Sequence, residues 1–555
     1  MRWASVAAAL LAASTLFSGC LSDGSRGNDD ADSSALPPAS SLSQKQSVIL
    51  PPEEVWVTTS GDLTSGETGI RLHNAVYRPD TTEPVPVFIN FSPYWADTAM
   101  TQGDNFGKYL VNEYVPRGFA VVLSAIRGTG HSEGCFEVAS DRESQDINEV
   151  VAYFAGEPWS NGNIAAGGKS YDSTTQNGMI AKFPHAALKG VFHVSGITDM
   201  YSYTFQNGVP ARTDSAAFTT QYGVGQSLGE YGVPPPPLGT GGGSIEDESP
   251  ESLARLAGEA CTATPEGAAN AGAGTTAGAK TPYWVERDWT RTIATSSWNG
   301  SIFFVHGLQD WNVQPSHIQP WLDQVNANGN IKVLGWLHQW AAQDEFECQP
   351  GNGHVYPMRT DWNETMLRWL DAILKGKDTG IDQLYGFDVQ DTKCQWRHDA
   401  TWPPAESLTV QLADGAAVAL GDAPVRVSGV VRIDVSATST NADPVITALL
   451  YDEGEGNRTW IGEAVLRGVL RESLETPSPV TPGAAVTYHL ATYPLDHVFT
   501  AGHTLVVDYG ATPDKSAPLP QQTLGVTYGT GTLTLPLGDL DLLEPQPVWM
   551  QCFTC

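Results

Sequence analysis

Six short apolar runs, set between stretches of helical character, constrain this chain more than any other feature. They are Val85–Asn90 (VPVFIN), Gly118–Ser124 (GFAVVLS), Asn163–Gly167 (NIAAG), Gly190–Val194 (GVFHV), Ser301–Val305 (SIFFV) and Ile331–Trp336 (IKVLGW), each bounded by turn residues. Runs that are apolar at nearly every position fit strands buried on both faces. Helical stretches such as Ser144–Phe154 and Thr175–Lys182 lie between them. The alternation predicts a mostly parallel, buried sheet of the α/β class. At 555 residues the chain is too long for a single core, so further domains are expected.

The third run leads straight into chemistry. Asn163-Ile-Ala-Ala-Gly-Gly168-Lys169-Ser170-Tyr171-Asp172-Ser173 reads as a strand, a tight turn carrying Ser170, and a helix. That is the layout of a nucleophile elbow, in which a strained turn exposes the serine above the sheet. Gly168 brings no Cβ into the turn. The Tyr171 N–H, at the start of the next helix, points toward a developing oxyanion. In the usual G-x-S-x-G pattern the last position is glycine; here it is Asp172. A serine nucleophile in this fold needs an acid and then a base, in the order Ser, Asp, His. Asp310 lies just past the strand SIFFV and is the candidate acid, with a helix N-cap before residues 315–326 as its bland alternative. His338 and His354 both follow IKVLGW and both remain candidates for the base. The order and the strand ends predict an α/β-hydrolase domain.

The N-terminus reads MRWASVAAALLAASTLFSG over residues 1–19, a secretory signal too short for a durable membrane span. Phe17-Ser18-Gly19-Cys20 resembles a bacterial lipobox, with Phe17 where Leu or Val is more usual; the resemblance implies lipidation of Cys20. Residues 20–48 are rich in Ser, Asp, Gly, Pro and Ala and are expected to form a disordered tether. The expected location is extracytoplasmic, with membrane contact only through a lipid anchor. Cys135, Cys261, Cys348, Cys394, Cys552 and Cys555 remain, enough for up to three disulfides whose pairing cannot be read from sequence. A net charge of -32 repels phosphate backbones, and no basic run offsets it, so a nucleic-acid partner is excluded.

From about residue 396 short alternating runs such as Leu408–Leu412 and Val425–Ile433 are separated by Gly, Pro and Asp, which predicts a β-sandwich over 396–555. The hydrolase domain then occupies 49–395, with an insertion over about 200–295 that contains a PPPP run at 234–237 and a Gly/Ala-rich stretch near 267–279.

Several segments together resemble one family. Gly168-Lys-Ser-Tyr-Asp-Ser173 resembles the G-x-S-Y-x-G motif of Xaa-Pro dipeptidyl-peptidases and cocaine-esterase-like (CocE/NonD) serine hydrolases, peptidase family S15, with Ser173 in place of the final glycine. Tyr283-Trp-Val-Glu-Arg-Asp288, His306-Gly-Leu-Gln-Asp310-Trp-Asn-Val313, Gly353-His354-Val-Tyr356 and Arg127-Gly-Thr-Gly130 with Ser132-Glu-Gly134 resemble further motifs of that family in the right order. The resemblance runs from about residue 50 to the C-terminus. It implies a helical cap for the insertion and a jelly roll for the β-sandwich. It selects His354 over His338 as base, and gives Tyr94, after Pro93, a hydroxyl that donates to the oxyanion.

The function expected is hydrolysis through an acyl-enzyme, without metal or organic cofactor, on a peptide or small acyl substrate. The leading reading is release of N-terminal X-Pro dipeptides, which needs an acid for the substrate ammonium; Glu133, Glu137 and Asp172 are candidates. The alternatives are a carboxylesterase or acylase and, in another class, a surface binding protein without catalysis. The complete Ser, Asp and His set argues against the last. Self-association is left open.

Overall fold

The computed structural model describes residues 36–61, 69–93, 95, 105–134, 137–211, 278–341, 348, 358–412, 417–518 and 520–550. Tyr94, His354 and Cys20 lie outside the described residues, as do residues 212–277 of the expected cap and Cys135, Cys261, Cys552 and Cys555.

All six predicted strands form. In chain order the first domain runs β1 (Glu53–Thr58), β2 (Arg71–Tyr77), β3 (Val85–Ser92), α1 (Asn105–Tyr114), β4 (Ala120–Ala125), α2 (Asp141–Gly156), β5 (Ser160–Lys169), α3 (Tyr171–Lys182) and β6 (Leu188–Val194). A small hairpin, β7 (Phe205–Gln206) and β8 (Val209–Pro210), opens the insertion. The chain then continues with β9 (Ser301–Gln309), α4 (Gln319–Asn328), β10 (Lys332–Ala341), β11 (Met358–Arg359), α5 (Trp362–Lys375), β12 (Gly386–Gln390) and β13 (Trp396–Asp399).

Ten of these strands make one sheet in the order β1-β2-β4-β3-β5-β6-β9-β10-β12-β13. It is parallel from β4 to β12 and antiparallel at its edges. Strands alternate their side chains between two cores. Thus β3 sends Val87, Ile89 and Phe91 to the core under α2, α3 and α4, and Phe88 to the core under α1 and α5. Helix α5 shows the matching period: Trp362, Met366, Trp369, Leu370 and Leu374 form its buried stripe, and Gly376 at φ 64° ends it. The chain order reverses between β3 and β5. Their carboxyl ends therefore flank a crevice, the place where open α/β sheets collect ligands.

The second domain begins at Ser407, because Gly386–Asp399 completes the first sheet as a hairpin. It packs a six-stranded antiparallel sheet against a four-stranded one. Its core holds Ile433, Val435, Ile446, Leu450, Leu490, Leu505 and Leu533. In Arg432–Ser439 burial alternates residue by residue, as a strand between a core and solvent requires. Arg426 of this domain joins the two. Its guanidinium donates to Asp399 Oδ2 of β13 at 2.7 Å and to Asp496 Oδ2 of its own domain at 2.7 Å.

The segment 36–48, inside the expected tether, is packed on the first domain. Leu42 is buried. The Ser43 N–H and hydroxyl both donate to the buried Asp371 of α5, each at 2.6 Å, and Arg368 donates to the Pro37 carbonyl at 2.7 Å.

Candidate active site

The residues that close β5 are fixed by how little room they have. A Cβ on Gly167 would sit 2.0 Å from the Phe192 carbonyl oxygen, and one on Gly168 would meet Asn90 Nδ2 and Asp172 Cβ at 2.5 Å. The strand therefore approaches β6 and β3 closely before turning. Ser170 takes the turn at φ 58°, ψ -125°, a region that L-residues avoid. Its N–H donates to the Val194 carbonyl at 2.9 Å, which fastens the turn to β6. Its carbonyl accepts the N–H groups of Ser173 and Thr174, both at 3.1 Å, and starts α3. Ser173, which stands where the motif has glycine, folds its hydroxyl back onto the Ser170 and Val194 carbonyls at 3.0 and 2.9 Å. A small hydroxyl thus satisfies the backbone where glycine would leave space.

Asp310 follows the carboxyl end of β9, with only β6 between that strand and β5. It is buried, and it does not cap the following helix, which begins at Gln319. Instead Oδ1 accepts the N–H groups of Asn312 and Val313 at 3.1 and 3.0 Å. The loop is braced from the sheet by His306, whose Nε2–H donates to the Val313 carbonyl at 2.8 Å. Burial lowers the His306 pKa, with Asp310 and Val313 pulling the other way. Burial also lowers the Lys169 ammonium, beside Ser170, to about 8, and the opposing pull comes from Asp310. The ends of β5 and β9 therefore share one electrostatic neighbourhood.

Of the two histidines, His338 lies inside its strand and not in a loop after IKVLGW. β10 runs on to Ala341. His338 is fully buried within the sheet, pairs in register with Gly307, and faces Trp396 at 5.8 Å. Burial, then Arg359 and His306, push its pKa well below the ordinary value. His354 lies outside the described residues, six positions after Cys348. Cys348 forms a disulfide with Cys394 in the β12–β13 turn, a pairing that sequence alone left open.

Tyr171 is buried, and its hydroxyl donates to Glu143 Oε2 at 3.1 Å. Glu143 is raised by burial to about 7, against the Ala139 N–H, the Tyr171 hydroxyl and Arg127. Beside it Val138 and Ala139 both have positive φ, at 52° and 60°. Arg287, from the Tyr283–Asp288 motif, holds that bend by donating to the Val138 and Glu137 carbonyls at 2.9 and 3.0 Å. Sequence reasoning gave no role to Glu143, His306 or Arg287. The Tyr94 position is bracketed by described neighbours: Trp95 Nε1 donates to Asn90, and Asn90 Nδ2 donates to the Gly167 carbonyl, both at 2.8 Å. The end of β3 is thereby tied to the strand that carries Ser170.

The three candidate amine-binding acids separate. Glu133 is engaged by the Arg71 guanidinium at 2.6 Å and by the Arg71 N–H at 2.9 Å. Glu137 holds Arg127 and Ser140, both at 2.7 Å, with part of its side chain exposed. Asp172 is buried in the first turn of α3. Among the described residues no group of three His, Cys, Asp or Glu side chains is placed to hold a metal ion.

Residues 68–341 match the family model described as X-Pro dipeptidyl-peptidase (S15 family). Residues 422–533 match the model described as X-Pro dipeptidyl-peptidase C-terminal non-catalytic domain. A Bacillus cereus protein named "Putative Xaa-Pro dipeptidyl-peptidase" is 25% identical over 566 residues, spanning 87% of this chain and 90% of its own. A Mycobacterium bovis protein named as a "Putative serine esterase" is 24% identical over 552 residues, spanning 78% and 84%. Among solved structures, an aminopeptidase from a marine sediment Thaumarchaeota archaeon aligns with TM-score 0.61 at 15% identity, over 94% of this chain and 98% of its own. A CocE/NonD family hydrolase from Staphylococcus aureus aligns with TM-score 0.58 at 15% identity, over 90% and 100%. These two likenesses establish the fold. The chain carries a serine hydrolase domain of the S15 family, with the α/β-hydrolase fold, followed by a β-sandwich.

Proposed function

We propose that this hydrolase is an Xaa-Pro dipeptidyl-peptidase that acts through an acyl-enzyme on Ser170, with Asp310 as orienting acid and His354 as base. Ser170 Oγ attacks the carbonyl carbon of the penultimate proline, and its proton passes to the His354 imidazole. Asp310 holds that imidazole in the required tautomer. The Tyr94 hydroxyl and the Tyr171 N–H receive the oxyanion. The leaving amine takes the proton from His354, and water then releases the X-Pro dipeptide from Ser170. The observation that carries this reading is the strained Ser170 turn at the end of β5, with the buried Asp310 past the end of β9. The family model and the named relatives support the peptide specificity. Each of Glu133 and Glu137 already holds an arginine, and of the two Glu137 is favoured as the amine-binding acid because more of its side chain is exposed.

The test is hydrolysis of Gly-Pro-p-nitroanilide and p-nitrophenyl butyrate by the chain and by Ser170→Ala. Ser170-dependent cleavage of the Pro amide, with a much weaker rate on an N-acylated analogue, is the expected result. The variant should lose roughly 10⁴-fold in kcat. Near-normal activity of Ser170→Ala overturns the assignment. Ester cleavage alone supports the second reading, a carboxylesterase, which the esterase-named relative favours.

The proposed location is extracytoplasmic, with Cys20 lipidated; the Cys348–Cys394 disulfide supports an oxidising compartment. Metabolic labelling with a fatty acid should mark the chain and not Cys20→Ala.

A further inference from the structure

The second domain matches a model described as non-catalytic, yet it grips the loop that carries Asp310. Between β9 and α4 this loop runs from Asp310 to Ile318. Asp310 itself is held by backbone N–H groups two and three residues ahead. The carboxylate is therefore only as well placed as its own loop. Three separate elements fix that loop. His306 holds the Val313 carbonyl from the sheet at 2.8 Å, and Tyr203, at the entry to the insertion, donates its hydroxyl to Asn312 Oδ1 at 3.2 Å. The third support is the β-sandwich. Tyr493 is buried, and its hydroxyl donates to Gln314 Oε1 at 3.0 Å. Its ring meets Trp311 edge-on at 5.4 Å, and Trp460 meets Trp311 at 6.0 Å. The Lys515 ammonium lies 4.8 Å from the centre of the Trp311 ring. At the far end of the loop Gln319 accepts the Val430 N–H at 2.8 Å.

We infer that Tyr493 of the β-sandwich is a positioning residue for the reaction, acting through Gln314 and Trp311 to hold the acid loop in register with the nucleophile. The inference rests on the proposed role of Asp310. An orienting acid works through geometry, and a displacement of about 1 Å in a supporting group costs on the order of 10²-fold in rate. The sandwich holds the residue next to Asp310 through an aromatic cluster from two domains, and Gln314, four residues past Asp310, through a buried hydroxyl bond. This cluster ties the second domain to turnover as well as to stability.

The experiment compares Tyr493→Phe, Asp310→Asn and the double variant in the full chain, using whichever substrate the parent cleaves. Tyr493→Phe keeps the ring and the packing and removes only the hydroxyl. It should lower kcat about tenfold with KM little changed, and move the acidic limb of the kcat/KM profile to lower pH, because a displaced carboxylate supports the imidazolium less. In the Asp310→Asn background the same change should have no further effect on kcat. Unchanged kcat and pH profile in Tyr493→Phe overturn the inference, and so does an equal loss with and without Asp310. Trp460→Phe, which trims the cluster without touching Gln314, should give a smaller shift of the same kind. Ser170→Ala separates the levels: if it remains active, the underlying reading fails; if it is inactive while Tyr493→Phe behaves as the parent, only this inference fails.

Discussion

Ser170 sits at φ 58° and ψ -125°, where the Cβ of an L-residue crowds its own backbone. Such conformations cost of order 1–3 kcal/mol and persist only where neighbouring bonds over-determine them. Here the bonds are those to Val194, Ser173 and Thr174. Glycine relieves the crowding but adds disorder to the unfolded chain. Ser170→Gly should therefore be more stable than Ser170→Ala by about 1 kcal/mol, while both lack activity; denaturant titration of the two reads the difference. Glu143 is a second residue under tension, buried, and raised to about 7. A carboxyl whose folded pKa exceeds its unfolded value binds more protons when folded. Stability then falls as pH rises from about 4.5 to about 7, by ~1.4 kcal/mol per unit of difference. Glu143→Gln keeps an acceptor for the Tyr171 hydroxyl and should flatten that slope, seen as thermal midpoints at pH 5 and pH 8 that lie closer together than in the parent. Ser170 and Asp310 were legible because each stands at the carboxyl end of a run apolar enough to be a buried strand. Glu143 and Arg287 were not, since their value lies in contacts such as Arg287 to Val138, 149 residues apart.

At the scale of elements, the six central strands were legible for the same reason, continuous apolarity. The edge strands were not. β12 and β13 carry Asp388, Arg397, His398 and Asp399, and the polar run of β13, from residue 396, read as the start of the next domain. The hairpin belongs to the first sheet because β12 pairs parallel to β10. Its turn also carries one end of the disulfide. Cys348 joins Cys394, and the adjacent Thr392 bonds the Asp496 carbonyl at 3.1 Å and His497 at 2.6 Å. Cysteine spacing could not show this, because pairing depends on distance in space. A crosslink between residues 46 apart is worth about 4 kcal/mol in the chain-entropy account. Replacing both cysteines by serine should lower stability by up to that amount. If His354 is the base, turnover should fall further than the loss of folded protein explains. Activity corrected for the folded fraction measures the second part.

On the scale of the whole molecule, the two domains share buried charge as well as aromatic contact. Arg426 lies fully buried between Asp399 and Asp496, a geometry that favours one arrangement of the domains, since Asp399 of the first domain would lose its buried partner in any other. The amino-terminal segment is bound just as firmly. Ser43 meets Asp371, Lys375 and Lys377, and Lys375 reaches the Arg117 carbonyl just ahead of β4. This clasp lies at the opening ends of the strands, while Ser170 lies at the closing end of β5. For anyone preparing the protein, a start near residue 48, where composition places the end of the tether, removes residues that pack on the first domain. A recombinant form starting at residue 49 would expose the socket of Leu42 and strip both Ser43 donors from a buried carboxylate. It should melt several degrees below one starting at residue 36, so a poor yield from the shorter form would reflect the chosen start and not the enzyme.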